Sequence, residues 1–213
     1  MRKRVIFSLL ALISAEFLSW GQVYLGAGYE QIHYKGDFYG NHTLPALNLQ
    51  SSYEFQCLGS FISDLGVELS FGNSFNHVRK AVAIDDELLA ERTGRWSEAH
   101  LRIPALIGHE IPLPGKCDAF VKAGPKLDFY LYNKFANGTN SLPNPYDCKY
   151  RPVNLYIDGM LGIELNDEMQ LSCGISWAPF PFSKEYIYVH GTRYYSSVRP
   201  LMLHLGISLK LCD

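Results

Sequence analysis

Apolar and polar residues alternate with a period of two along most of this chain. The stretch from Asp118 to Tyr132 does so without interruption, with Ala, Val, Pro, Leu and Phe on one side and mainly Asp, Lys and Gly on the other. Side chains of a β-strand point alternately to opposite faces, so this stretch predicts one long strand with an apolar and a polar face. Residues 101–111 show the same pattern more loosely. Pro112, Pro114 and Gly115 predict a tight reversal between the two strands.

The same alternation recurs along the rest of the chain and predicts eight strands. They cover residues 23–34, 46–57, 61–71, 101–111, 118–132, 152–165, 168–178 and 198–212. The connections between them run long, short, long, short, long, short, long, so every second connection lies at the same end. An up-and-down antiparallel barrel has this arrangement, and its closure leaves no strand edge exposed. We therefore predict an all-β chain that folds as an eight-stranded antiparallel barrel.

Three of the long connections have features of their own. Residues 72–95 are predicted to be an insertion, in which residues 85–92 would form a short helix with an acidic cap, stopped by Gly94. Residues 133–151, rich in Asn, Pro and Gly, are predicted to be a loop. Residues 179–197 favour a hairpin that projects above the barrel as a continuation of the seventh and eighth strands. This hairpin would either bind a partner or be stiffened by its own tyrosines, Tyr186, Tyr188, Tyr194 and Tyr195.

The alternation fits two kinds of barrel, which differ in the face that points inward. A soluble ligand carrier turns its apolar face to the interior, whereas a transmembrane barrel turns that face to lipid. Long strands and the contrast between short turns and long loops favour the transmembrane barrel. Glycines on the polar face favour it too, because small residues suit the crowded lumen of eight strands. These glycines are Gly26, Gly28, Gly66, Gly124, Gly162, Gly174 and Gly206.

Charged residues of both signs share the polar face and are therefore expected in the lumen. They are Glu30, Glu54, Glu68, Asp128, Asp158 and Glu164, with Arg102, Lys122, Lys126 and Lys210. Buried charges are tolerated when they are paired and hydrogen-bonded, so the mixture predicts an ion-pair network rather than an open channel. Pro104 and Pro125 predict bulges or local breaks in the wall, because proline removes a ladder hydrogen bond.

The N-terminal residues predict export. A positive segment, Arg2-Lys3-Arg4, precedes an apolar stretch from Val5 to Ala15, and small residues flank a cleavage position after Gly21. We expect residues 1–21 to be a signal peptide and residues 22–213 to be a barrel domain.

The sequence predicts no catalytic, metal-binding or cofactor-binding residues. The cysteines have no zinc or redox spacing, so we expect them to act as small apolar residues, with one disulfide as the alternative: Cys57, Cys117, Cys148, Cys173 and Cys212. Five histidines are scattered and are interpreted as surface or interface side chains: His33, His77, His100, His109 and His190. His204 and Ser208 lie four apart on one strand, about 13 Å from each other, which is too far for a hydrogen bond. A net charge of −2 gives no basis for a nucleic-acid partner.

Two stretches resemble a known family: Leu101-Arg102-Ile103-Pro104-Ala105-Leu106, and Phe120-Val121-Lys122-Ala123-Gly124-Pro125. They are similar to strands of the outer-membrane β-barrel family that includes PorT, and the resemblance extends to the final Leu205–Leu211. It implies a bacterial outer-membrane barrel, in contact with outer-membrane lipids; PorT itself is associated with protein secretion. We predict a non-enzymatic barrel with a structural, interaction or secretion-associated role through its external loops, which would contact a protein partner. The alternatives are a lipid-modifying barrel enzyme and a soluble, lipocalin-like carrier.

Overall fold

A computed structural model describes residues 21–36, 42–58, 60–82, 88–137, 146–150, 152–181, 183–189 and 192–212. These residues form ten β-strands: β1 (Gly21–Gly36), β2 (His42–Leu58), β3 (Phe61–Val82), β4 (Leu88–Leu113), β5 (Cys117–Asn137), β6 (Tyr146–Tyr150), β7 (Val153–Leu165), β8 (Met169–Trp177), β9 (Ser183–Val189) and β10 (Thr192–Cys212). Eight of them form a closed barrel in the order β1-β2-β3-β4-β5-β7-β8-β10, and β10 pairs back with β1. All pairs are antiparallel.

The predicted barrel is confirmed, because each of the eight predicted strands coincides with one barrel strand. Closure between the first and last strands is extensive: the β1–β10 ladder runs from Val23 opposite Cys212 to Gly36 opposite Val198. Every barrel strand is therefore hydrogen-bonded on both sides, and the barrel has no free edge.

The predicted helix at residues 85–92 is wrong. Residues 88–92 belong to β4 and pair with β3, with Ala90 opposite Ala81 and Glu91 opposite Lys80; residues 83–87 lie outside the described part of the chain. An isolated helix of two turns is marginal in water, whereas extending the β3–β4 ladder pairs the backbone groups of both strands. Among the described residues, no helix is long and apolar enough to cross a membrane.

The other two long connections also contain strands. β5 continues to Asn137 and β6 occupies residues 146–150, so the loop predicted at 133–151 is shorter than expected. The predicted projecting hairpin is confirmed in part, since β9 pairs with the first part of β10 from Val189 opposite Thr192. It is built from a separate strand rather than from an extension of β8. The β6 strand then pairs with β9 and widens this projecting sheet.

Two of the short connections have backbone angles that explain their sequences. Asn166 and Asp167, between β7 and β8, both adopt positive φ angles, of 54° and 55°. A two-residue hairpin turn of type I′ requires this, and Asn and Asp tolerate it better than most residues. Gly115, between β4 and β5, has a φ of 97°, which favours glycine. The reversal predicted from Pro112, Pro114 and Gly115 is confirmed.

The outer surface of the barrel is apolar and the lumen is polar. On β5, Leu127 is 41% exposed, whereas its neighbours Lys126 and Asp128 are 1% and 0% exposed. Other strands repeat this arrangement, with exposed side chains such as Leu49, Val67 and Leu205. A band of this kind is stable in contact with lipid hydrocarbon but not with water. The alternative of a soluble carrier is therefore wrong, because its apolar face would have to point inward.

The hydrogen-bond ladders are interrupted beside the two prolines. Pairing between β4 and β5 stops at Pro104 opposite Lys126 and resumes at Ile107 opposite Ala123, in the same register. Pairing between β3 and β4 likewise stops at Leu65 and resumes at Glu68. The prediction of a local break is confirmed, and no bulge forms there, because the lost ladder bonds do not displace the strands.

Gly124 lies in this gap and is expected to tolerate no side chain. A Cβ at this position would overlap the carbonyl oxygen of Ala105 and lie 3.0 Å from the Cα of Leu106. Because the obstructing atoms belong to the backbone, we expect Gly124→Ala to lower the free energy of unfolding by about 1–3 kcal/mol. Urea titration in phospholipid vesicles would measure this change.

Gly159 provides the matched control, because a Cβ there meets nothing closer than the carbonyl oxygen of Ile175 at 4.0 Å. Gly159→Ala is expected to stabilise the strand by about 0.5–1 kcal/mol. Equal effects of the two substitutions would show that the gap at Gly124 is not rigid.

Candidate functional site

The lumen holds the charges that the sequence assigned to it. Nine of the ten predicted charged residues are buried, and Lys210 is half-buried at the end of the barrel that carries the short turns. We call this end the short-turn end and the opposite one the long-strand end. The charges pair in groups at successive heights, so the predicted ion-pair network is confirmed.

Arg102 joins the charges of the central group. The Nη1 atom of Arg102, on β4, lies 2.7 Å from both carboxylate oxygens of Glu30, on β1. The Nε atom donates to Asp128, on β5, at 3.2 Å. Glu30 also accepts hydrogen bonds from Asn48 and Ser70, each at 2.9 Å. A guanidinium is suited to this position, because its donors point in several fixed directions in one plane.

Lys126 joins a second set of carboxylates beside this group. Its Nζ atom lies 2.7 Å from Asp158 and 3.3 Å from Glu68. The hydroxyl of Ser176 donates to Asp158 at 2.6 Å. Glu68 is also 4.0 Å from Arg102, so the two cations share an acidic neighbour. The ion pairs of Arg102 and Lys126 therefore link five of the barrel strands across the lumen, β1, β3, β4, β5 and β7.

Lys122 holds a third group nearer to the short-turn end. It forms ion pairs with Glu54 and with Asp64, the latter at 2.9 Å, and its Nζ atom lies 4.7 Å from the ring centroid of Phe120. Asp64 was not among the predicted lumen charges, although it alternates in phase with Glu68 on β3 and this signal was available. Below it, Glu164 accepts a hydrogen bond from Gln170 at 2.9 Å.

The long-strand end contains a group that the sequence analysis missed. His100, interpreted as a surface or interface side chain, is buried, with its Nδ1 atom 2.9 Å from Asp128 and its Nε2 atom 3.3 Å from Glu98. Glu98 also accepts hydrogen bonds from the hydroxyls of Tyr34 and Tyr130. Both residues continue the inward phase of Arg102 along β4. They were missed because the predicted strand began at residue 101.

An apolar cluster closes the lumen above these groups. Tyr34 and Trp96 pack with ring centroids 5.0 Å apart. Buried residues from several strands surround them: Ile32, Leu44, Ala46, Tyr156, Ala178, Val198 and Met202. Aromatic rings and aliphatic side chains thus occupy the height at which an open pore would have its mouth.

The lumen leaves little room for a solute between these layers. Within the described residues, the cavity at mid-height has a volume of about 20 Å³ and is lined by polar residues that include Gln50, Ser172 and Ser208. This space suits about one water molecule. A larger cavity of about 360 Å³ opens at the short-turn end. It is lined by Glu54, Glu110 and Glu164, whose carboxylate oxygens come within 4.8 Å of one another.

The described side chains do not form a nucleophile–base–carboxylate set. Ser208 accepts a hydrogen bond from Gln50 at 2.7 Å rather than contacting His204. Ser60 lies 3.0 Å from the Nδ1 atom of His109, but this pair is exposed at the short-turn end, and the ring of His109 packs at a tilt against Phe61 with centroids 5.2 Å apart. Among the described residues, no carboxylate orients His109 as hydrolytic triads require.

The described cysteines, Cys117 and Cys173, carry free thiols. The side chains of Cys57, Cys148 and Cys212 lie outside the described part of the structure, as do those of His77 and His190.

The closed antiparallel sheet, the apolar outer band and the ion-paired lumen define the class of protein: a transmembrane β-barrel with a filled lumen. The fold is similar to that of the outer membrane protein OprG of Pseudomonas aeruginosa, with 13% identity, a TM-score of 0.55, and coverage of 91% of this chain and 97% of that chain. Neisserial surface protein A is also similar, with 11% identity, a TM-score of 0.46, and coverage of 89% and 97%. At these identities the likeness concerns the fold alone.

Neither the protein-family models nor the curated proteins include a match to this sequence. The PorT-like resemblance therefore stays a prediction.

Proposed function

We propose that this chain is a non-enzymatic barrel of the bacterial outer membrane, exported by a signal peptide at residues 1–21, which acts through the strands that extend beyond the membrane. The role is one of interaction, and the resemblance to the PorT family makes it a secretion-associated one. The observation that carries the proposal is the filled lumen: a barrel that holds its own ion pairs across its interior has no path for a solute. Its contacts with other proteins are therefore made at its ends.

The long-strand end provides the surface for such contacts. β3 and β4 pair as far as Val82 opposite Leu88, eleven residues beyond Phe71, an exposed apolar side chain of β3. The β9–β10 hairpin and the short β6 form a second projection. Paired strands keep these projections in place on a rigid barrel, as binding surfaces require. The tyrosines at positions 186, 188, 194 and 195 belong to this second projection, and tyrosine is enriched at protein interfaces.

The filled lumen predicts a barrel that does not conduct. Moving an ion past Arg102 and Lys126 would require separating buried ion pairs, which costs several kcal/mol for each charge left alone. We expect the full-length barrel, inserted into planar phosphatidylcholine bilayers, to give no steady unit conductance. A reproducible conductance step from folded protein would contradict both the filled lumen and the proposal.

The projections predict a contact in the cell that depends on them. We expect crosslinking of intact cells to give a discrete product with the natural chain. Replacement of residues 184–196 by a short Gly-Ser turn should remove this product, because the β9–β10 hairpin is lost while β10 keeps its barrel pairing from Leu201 onward. An unchanged crosslink would show that this hairpin does not make the contact. Lipid analysis tests the alternative of a lipid-modifying enzyme. We expect the same mass spectrum of membrane lipids from cells with the natural chain and from cells with the hairpin replaced. New lipid species in cells with the natural chain would indicate the enzyme.

A further inference from the structure

The lipid-facing surface contains a groove that crosses five adjacent strands. Strand register places its side chains in two parallel rows. One row runs Gln31, Leu203, Ile175, Gly159, Ala123, and the other runs Tyr29, Leu205, Cys173, Leu161, Val121. Together with the residues that alternate between them, Lys122, Met160, Gly174 and His204, they line a cavity of about 690 Å³. The exposed side chains of Leu161, Leu205 and Ile175 place this cavity on the outside of the barrel. Four strand spacings of about 4.8 Å give the groove a length of about 19 Å.

Small residues form the floor of this groove. Ala123, Gly159 and Cys173 lie close together on β5, β7 and β8, among exposed neighbours such as Leu161 and Ile175. The larger side chains stand out from the wall and form the sides. A depression in an otherwise convex apolar surface results.

Gly159 differs from the glycines that face the lumen. A Cβ at Gly124, Gly162 or Gly174 would overlap backbone or side-chain atoms of the protein, so packing explains those glycines. At Gly159 the nearest such atom is 4.0 Å away. Glycine weakens a strand by about 0.5–1 kcal/mol relative to alanine, and nothing inside the protein requires it here. The open space on the lipid side is what this glycine provides.

One end of the groove is polar, although it lies on the outward face. Gln31 and Tyr29 stand side by side on β1, and the amide of Gln31 donates to the hydroxyl of Tyr29 at 3.4 Å. One step further toward the long-strand end, His33 lies 2.8 Å from the hydroxyl of Thr43. Polar side chains on the outside of a barrel belong at the height of lipid headgroups and ester groups. The groove therefore starts beside polar groups and continues along apolar ones.

We propose that this groove is a binding site for one membrane lipid. Its acyl chain lies over Gly159, Ala123 and Cys173, and its polar part hydrogen-bonds with Gln31 and Tyr29. Because barrel strands are tilted by about 35–45°, a groove perpendicular to them descends obliquely into the hydrocarbon. At this tilt a groove about 19 Å long spans about 11–13 Å of depth, which fits within one leaflet, about 15 Å deep. A lipid held there packs against fixed side chains, unlike the lipids around the rest of the barrel.

The shape of the groove favours an acyl chain over a second copy of the protein. Another barrel would present a convex wall, and two convex walls touch along a line without filling a narrow depression. A flexible hydrocarbon chain follows the groove along its whole length. The groove is also continuous with the apolar band that contacts lipid, so a lipid reaches it without crossing water.

Photolabelling tests this site. The full-length barrel is placed in phosphatidylcholine vesicles that contain a trace of phosphatidylcholine with a diazirine on one acyl chain, and the labelled peptides are mapped after irradiation. We expect labelling to concentrate on the segments around Gly159 and Cys173. Gly159→Leu should reduce it there several-fold, because the added side chain fills the floor. The matched control is Ala119→Leu, which adds the same side chain to the lipid face of β5 outside the groove and should leave labelling unchanged.

Three results would overturn the site. One is labelling spread evenly over the apolar band; another is labelling of the groove that survives Gly159→Leu. The third is efficient oxidative linkage of two chains through Cys173, which would place a second copy over the floor. If Gly159→Leu does not insert into vesicles, Cys173→Trp fills the groove from the adjacent strand and decides the question in its place.

Discussion

Arg102→Met is expected to lower the free energy of unfolding by about 3–5 kcal/mol, the largest effect of any single substitution proposed for this barrel. Arg102 is 1% exposed and contacts the carboxylates of Glu30 and Asp128 at 2.7 and 3.2 Å. Methionine matches much of the side-chain volume but leaves both acids without this cation in the lumen. Urea titration of tryptophan fluorescence in phospholipid vesicles measures the loss.

Two variants separate the charge of Arg102 from its size. Arg102→Lys keeps the charge but cannot reach both carboxylates in one plane, so an intermediate loss is expected. The double variant Arg102→Met with Glu30→Gln removes one of the stranded charges, so it should be more stable than Arg102→Met alone. If the double variant lost as much as the sum of two independent substitutions, Arg102 and Glu30 would not be coupled across the lumen.

Leu127→Arg is expected to destabilise the inserted barrel by about 2–4 kcal/mol, because it places a charge in the lipid-facing band. Leu127 lies near the middle of β5 between two buried charged residues, so its side chain points away from the lumen. Folding yield and the free energy of unfolding in vesicles provide the measurement.

Leu113 provides a control with the same exposure at a different depth. Both leucines are 41% exposed, but Leu113 ends β4 beside the short turn. The cost of arginine on the lipid face falls to about 0–1 kcal/mol near the membrane surface, so Leu113→Arg should be nearly neutral. Equal losses at Leu113 and Leu127 would contradict the assignment of the apolar band to the bilayer interior.

The sequence predicted the lumen residues better than it predicted the ends of the strands. Alternation places Lys122, Lys126 and Asp128 on one face of β5, whichever residues they form ion pairs with. All three are buried in the structure. It ended β3 at residue 71 and began β4 at residue 101, well short of Val82 and Leu88, since the residues beyond 71 and before 101 lack a regular apolar face. That is why Glu98 and His100 were missed and why a helix was predicted where β4 begins.

The partners of each charge were not predictable from the pattern. Arg102 and Glu30 are 72 positions apart, and they meet because β1 and β4 face each other across the lumen. A period of two identifies the face of a strand but not its height in a tilted barrel, which depends on the register of every ladder between the two strands. The acidic mouth formed by Glu54, Glu110 and Glu164 was missed for the same reason.

By itself the sequence determined the fold class, the number of barrel strands and the composition of each face. These features follow from the local alternation of apolar and polar residues, which a closed barrel preserves. The sequence favoured lipid contact for the apolar face, and the tertiary structure confirmed it. Only the tertiary structure decided which ion pairs filled the lumen and how the ladder was interrupted at the prolines without a bulge. It also showed that Gly159 leaves space where no atom of the protein needs it. Such features depend on side chains from strands far apart in sequence, and no local pattern contains that information.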